Sequence, residues 1–301
     1  MFWIDKHNRG KRGKGHHIVN DFLRKAWNEQ EGKYVNCNYN SFKRNGKMER
    51  LLHQEQGGFC CYCMRHLTIG HHTSIEHVMP YHCKKNGKVD YKTINYYKRF
   101  NKNFKKVAYI HLSGSNRQWH VGPKYPHFCA YENLVLSCDG SLFIDEDREN
   151  NIYPSKLHLC CNECRGNEQI VPLFFLPNVN ELFVYRENGR IGISNKVKSP
   201  LRQIELSNTI DELVLEHERL NIIRQVWCLI AKNHLYCIDD VKTAISDDTL
   251  RSNILADCGV PARIEKRVRQ PIYWSLLFDY YWFYRYFSNR KLYRNRSSFW
   301  G

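Results

Sequence analysis

The cysteines place the tightest constraint on how this chain can fold. Cys60 and Cys63 are spaced as a C-x-x-C pair, and a second group follows much later at Cys138, Cys160, Cys161 and Cys164. Two thiolates on one tight turn can bind the same tetrahedral zinc ion, but they fill only half of a closed site. A second pair must therefore come from a distant part of the chain, and the fold must bring it there. Cys138 with Cys161 is favoured, because that pairing ties both ends of the intervening excursion to the metal. Cys161 with Cys164, or His158 with Cys161, are the alternatives. Cys37, Cys83, Cys129, Cys228, Cys237 and Cys258 read as small apolar residues rather than ligands. The thirteen cysteines are an odd number, and the first six residues lack the apolar run of a secretory signal. A reducing cytoplasm with free or metal-bound thiols is the expected setting.

The formal charge is +16 over 301 residues, which points to a polyanionic partner, nucleic acid above all. Between residues 81 and 125 there are eleven Lys or Arg against the single acid Asp90. Tyr91, Tyr96, Tyr97, Phe100, Phe104, Tyr109 and Trp119 are interleaved with them, and basic groups beside aromatic faces suit a nucleic-acid surface. With 42% apolar and 25% charged residues, the composition excludes a disordered chain. Residues 271–287 form the longest apolar stretch, but Asp279 and Arg285 interrupt it and it falls short of a bilayer, so no membrane association is expected.

Hydrophobic periodicity predicts helices over 19–27, 41–54 and 239–255, a long one from 209 onward, and an aromatic one over 271–288. Strands are predicted at 74–78 and 132–137, and a hairpin over 181–193 around Asn188-Gly189. Four units follow: a basic helical extension (1–56), a module carrying the cysteine, histidine and asparagine clusters (57–170, with a basic insertion at 81–130), a hairpin region (171–207) and a helical C-terminal region (208–301).

Three short motifs carry chemistry. In Glu76-His77-Val78-Met79-Pro80, the imidazole can take a proton from water near neutral pH and the carboxylate can bind a hard cation. Asn133, just before the apolar run 134–136, suits a side chain whose amide bridges the loop after His77. Asn162 begins a predicted helix, where its carbonyl oxygen could face the same cation as Glu76, and Arg165 follows three residues later.

The order C-x-x-C, E-H-x-x-P, E-N-L-x-x-x-C, C-N-x-x-R resembles the HNH endonucleases. Residues 55–63, with Cys138-Asp139-Gly140 and Arg165-Gly166-Asn167, are similar to the PtuB-type HNH proteins of Septu and retron anti-phage defence systems. The resemblance spans about residues 50–170. It implies an α+β fold around a ββα-metal module with a structural zinc site. It further implies His77 as general base, Glu76 and Asn162 as ligands of a catalytic Mg²⁺ or Mn²⁺, and Asn133 as the residue that orients His77. Arg165 or a nearby lysine would clamp a phosphate oxygen. The partners it implies are a PtuA-type ATPase and, in the retron setting, a reverse transcriptase with its msDNA. DNA is the favoured polymer and tRNA the other. Asn162 stands where the HNH name has its third histidine, and the segment between Cys138 and Cys161 is longer than in compact relatives. A zinc-finger-like binding module without catalysis is the competing expectation.

Overall fold

The computed structural model describes residues 1, 3–6, 8–71, 73–85, 88–100, 102–112, 124–142 and 158–288. It is a mixed α+β structure in which small two-stranded sheets are embedded among helices.

Helix α1 (Arg9–Ala26) buries Gly15, Val19 and Leu23, a spacing of four that keeps them on one face. Gly15 lies directly against the Tyr131 ring, where a Cβ would come within 2.3 Å, so the helix can dock only through a residue with no side chain. The expected helix over 41–54 is two helices, Tyr39–Phe42 and α2 (Gly46–Glu55). Asn45 separates them by accepting a bond from Met48 N at 3.1 Å, the role of a helix cap. Below α2, Lys6 forms a fully buried ion pair with Glu55 at 2.7 Å and lies over the Tyr131 ring at 4.1 Å.

The central ladder joins β1 (Thr73–His77) and β2 (Leu134–Cys138) antiparallel, pairing Thr73 with Cys138 at one end and His77 with Leu134 at the other. All five residues of β2 are buried, so the strand reads as a continuous apolar run rather than an alternation. It starts at Leu134 instead of 132 because Tyr131–Asn133 form a 3₁₀ turn. Between the two strands lies the insertion, with α3 (Tyr91–Phe100) and a short parallel pairing of Val107–Ala108 with Tyr125–Pro126. After β2 comes α4 (Asn162–Arg165), the expected helix, reduced to a single turn.

The hairpin forms from β3 (Phe183–Tyr185) and β4 (Ile191–Ile193). Gly189 at its turn has φ +78°, and a Cβ there would meet the Asn221 carbonyl at 1.7 Å, so the turn packs flush, at Asn221, against the long helix expected from residue 209 onward. That long helix is also interrupted: α5 (Pro200–Glu212) and α6 (Glu218–Asn233) are separated by a bend in which Val214 has φ +48°. Likewise, 239–255 is split into α7 (Ile238–Thr243) and α8 (Asp248–Asp257), and 271–288 into α9 (Pro271–Phe278) and α10 (Trp282–Ser288). Their aromatic residues are mostly core: Trp227 and Trp274 are fully buried, and each indole N–H donates to a carbonyl, Leu277 O at 2.8 Å and Val241 O at 2.7 Å. Among the described residues no helix is long and apolar enough to cross a membrane.

Candidate metal centre and adjoining pocket

Cys60, Cys63, Cys138 and Cys161 are all buried, and their four Sγ atoms lie within 4.8 Å of one another. Cys60 and Cys161 are 3.9 Å apart and Cys63 and Cys138 are 3.6 Å apart. Thiolates about 2.3 Å from a tetrahedral zinc are separated by about 3.8 Å, so the four lie close enough together to hold such an ion. They are the favoured set of the three weighed above; His158 and Cys164 stand outside it. Burial alone would raise the Cys60 thiol, but hydrogen bonding from Cys138, Cys161 and Cys61 outweighs it and brings the group down to about 5. Cys63 is lowered likewise, whereas Cys138 and Cys161 are raised, as neighbouring thiols share protons among them; a bound cation would take all four as thiolates.

The local chain explains the convergence. The Cys60 N–H bonds Arg65 O at 2.8 Å and Tyr62 N–H points at the Cys60 sulfur at 3.5 Å, closing the C-x-x-C turn. Gln56 ties this turn to β2: its amide donates to Leu136 O at 2.8 Å and accepts from Leu136 N at 2.7 Å, replacing a missing neighbour strand. Cys161 has φ +58°, which is strained for a residue with a Cβ, and is held there by its thiol in the frame and its N–H on Leu213 O at 2.8 Å. The C-terminal helices seal the far side. Asp279 accepts from Arg65 at 2.8 and 3.0 Å, and the Tyr280 hydroxyl lies 3.8 Å from the Cys63 sulfur. Cys160, part of the second cysteine group but of none of the pairings set out above, lies 3.4 Å from the Cys161 sulfur as a buried thiol beside the frame. Cys237 is the exception among the thiols read as core: it is exposed and caps α7.

At the other end of the ladder, His77 is buried with its Nε2 3.0 Å from the Phe128 carbonyl. A carbonyl only accepts, so Nε2 carries the proton and Nδ1 the lone pair. Burial, with Arg165 and His82 adding, lowers the imidazole to about 4, against the Phe128 bond. Tyr39 and Tyr81 flank it with ring centroids at 4.5 and 5.6 Å. His127 lies behind, its Nε2 on Tyr81 O at 3.1 Å and its Nδ1 accepting from Ile110 N at 3.2 Å. Neither Tyr39, Tyr81 nor His127 was marked by a sequence motif; only the structure gathers them.

Asn133 is fully buried and bonds both the N–H and the carbonyl of Met79, at 2.7 and 3.1 Å, and His127 O at 2.9 Å. It thus bridges the loop after His77. Glu76 is buried on β1, and desolvation raises its carboxyl to about 7, Glu163 adding to the rise while Ser74 and Arg165 oppose it. Glu163, the neighbour of half-buried Asn162, is a second carboxylate within electrostatic reach that the motifs did not single out.

Arg165 is placed differently from expectation. It is 2% exposed, and its donors reach His77 O at 2.8 Å, Val78 O at 2.6 Å, Tyr62 Oη at 3.3 Å, Tyr97 Oη at 3.1 Å and Glu168 O at 3.2 Å. A guanidinium has five N–H groups, and here all five are engaged. None is left for a phosphate, so Arg165 is not the clamp; it locks the end of β1 to the cysteine turn and the insertion.

In comparisons with known proteins, no family model, no curated protein and no solved structure matches the chain.

Proposed function

We propose that the chain is a metal-dependent HNH-type endonuclease that hydrolyses nucleic-acid phosphodiester bonds, the effector of an anti-phage defence system working with a PtuA-type ATPase. The observation that carries this reading is His77: its tautomer is fixed by Phe128 with Nδ1 left as a base, on a sheet whose opposite end is braced by four cysteines. Glu76 and Asn162 would hold the divalent ion, Mg²⁺ or Mn²⁺, which would neutralise charge developing on the phosphate and leaving oxygen. A zinc bound by four cysteines has no open position and serves as structure only.

The chain's own residues then have distinct tasks. His77 Nδ1 takes the proton of the attacking water, and the negative charge of a bound phosphodiester raises its basicity back toward neutrality. Tyr39 and Tyr81 keep bulk water from the ring, and Asn133 fixes the loop at Met79 that follows it. With Arg165 committed elsewhere, the phosphate contact falls to the lysines of the insertion.

The test is one gel. Purified protein, with and without the candidate ATPase, is incubated with duplex DNA, single-stranded DNA and tRNA in Mg²⁺ or EDTA. Cleavage in Mg²⁺ that disappears in EDTA and in His77→Ala, with zinc content unchanged, supports the reading. Full cleavage by His77→Ala refutes it. Binding without any cleavage by the parent protein makes the chain a zinc-braced binding module instead.

A further inference from the structure

Six of the seven aromatic residues interleaved with the basic insertion are described, and the structure sorts them. Tyr96, Tyr97 and Phe104 are buried, and Phe100 and Tyr109 pack against the core. Tyr91 alone presents its ring, at 69% exposure, on the first residue of α3. Packing gives no reason for an aromatic side chain there. Around it in sequence Lys84, Lys85, Lys88, Lys92 and Arg99 are all exposed. The one acid, Asp90, is consumed locally, accepting from Lys92 N at 3.0 Å, Thr93 N at 3.3 Å and Thr93 Oγ1 at 2.8 Å as the cap of α3. Its carboxyl is held below the usual range by the Thr93 and Lys92 bonds first and by nearby Lys85, so it stays ionised as the helix cap, a single negative charge against the five cations.

This arm is also fixed in register with His77. Tyr97 on α3 bonds Arg165 at 3.1 Å and accepts from Ile170 N at 3.1 Å, while the same guanidinium holds the carbonyls of His77 and Val78. Tyr109 bonds Tyr81 O at 3.3 Å, and Asp90 N bonds Cys83 O at 2.9 Å. One hub therefore positions both the basic arm and the histidine.

We propose that this arm is a track for single-stranded nucleic acid, in which Tyr91 stacks an unpaired base and Lys84, Lys85, Lys88 and Lys92 hold the flanking phosphates. The proposal rests on the nuclease reading and names its substrate class. An exposed ring needs the free face of a base, which a single strand offers and the interior of a duplex does not. The lysines alone would serve either form.

Binding is measured with the His77→Ala protein in EDTA, so that nothing is cut, by anisotropy of labelled 12-nucleotide DNA and RNA strands and of a duplex. Tyr91→Ala is expected to weaken single-strand binding by about 5- to 150-fold, the worth of one base–aromatic stack, and to leave the duplex unchanged. Tyr91→Phe retains the affinity. A strand carrying 2-aminopurine is quenched by the parent and by Tyr91→Phe but not by Tyr91→Ala. Lys88→Gln weakens every polymer and lowers the slope of log affinity on log salt by about 0.7 for a single strand. The DNA and RNA strands identify the sugar by which binds more tightly. Unchanged single-strand affinity in Tyr91→Ala, or an equal loss on the duplex, overturns the proposal. Quenching by a protein whose His77 form cuts nothing leaves the track standing and overturns the nuclease reading alone.

Discussion

Replacing Arg165 separates a residue that builds the site from one that touches substrate. The two shortest of its bonds run to the carbonyls of His77 and Val78, at 2.8 and 2.6 Å. Hydrogen bonds from a charged donor are worth about 1.5–3 kcal/mol each, so these two alone represent about 3–6 kcal/mol. Relaxation and water entering the cavity return part of that, and about 4 kcal/mol is the expected loss for Arg165→Ala, at the upper end for any single substitution. Arg165→Lys keeps the charge but cannot span two carbonyls and two tyrosines, so about half the loss is expected. Urea denaturation of the zinc-loaded protein, followed by tryptophan fluorescence, reads both values as shifts in midpoint at unchanged slope. The salt dependence of nucleic-acid binding by the folded fraction should stay as in the parent, because Arg165 touches no phosphate. A phosphate clamp would behave oppositely: normal stability, weaker binding, and a salt slope smaller by about 0.7–0.9. That second pattern would refute the placement of Arg165.

Other outcomes follow from the same geometry. Cys138→Ala or Cys161→Ala should lower bound zinc, measured by atomic absorption after chelator dialysis, from about one ion per chain toward none, whereas Cys258→Ala should leave it unchanged. Gly140→Ala should destabilise by about 2 kcal/mol or more, read in the same urea titration, because Gly140 has φ +71° and a Cβ there would lie 2.3 Å from the Cys160 carbonyl. Burial first holds His77 at about 4 and His127 at about 3, well below the ordinary histidine value. The unfolded chain therefore binds protons that the folded one refuses. Stability is complete above about pH 6.5 and falls as pH drops through 6.5 toward 4, by about 1.4 kcal/mol per unit for each neutral imidazole. Urea midpoints between pH 7 and 5.5, with zinc content checked at each, should show this slope, and His127→Gln should reduce it.

The parts of the site that could be read in the sequence are those whose chemistry needs fixed spacing. Cys60 and Cys63 announce a turn, and Cys138 and Cys161 stand at the end of one element and the start of another, where a metal can gather them. What escaped the sequence is governed by tertiary partners. The apolar rhythm runs through the three later helix breaks, because Leu213, Leu215, Ala244 and Tyr280 remain buried while the backbone turns. The signals for those breaks are single residues: Asn45 and Asp247 as caps, His217 likewise, and Asp279, whose carbonyl is claimed by His66 N at 2.7 Å. The burial of Arg165 had no such signal. Its partners are carbonyls and tyrosines rather than acids, so nothing in charge pattern distinguishes it from a surface arginine. The same holds for the aromatic residues of the insertion, of which packing claims all the described ones but Tyr91.

Helix α4 has four residues, too few to persist by its own hydrogen bonds. It is held at both ends by side chains. At its start Cys161 belongs to the cysteine frame, and at its end Arg165 is spent on β1 and the insertion. Asn162 takes its position from the first of these ties, His77 from Phe128 and from the second. The two halves of the proposed site therefore depend on different chemistry, and removal of zinc should separate them. Chelation from the folded protein is expected to raise the Mg²⁺ concentration needed for half-maximal cleavage, through Asn162, while the rate at saturating Mg²⁺ falls less. Zinc-free protein that keeps its Mg²⁺ requirement and loses rate alone would place the frame in support of His77 instead, and would reverse the assignment of the two ties.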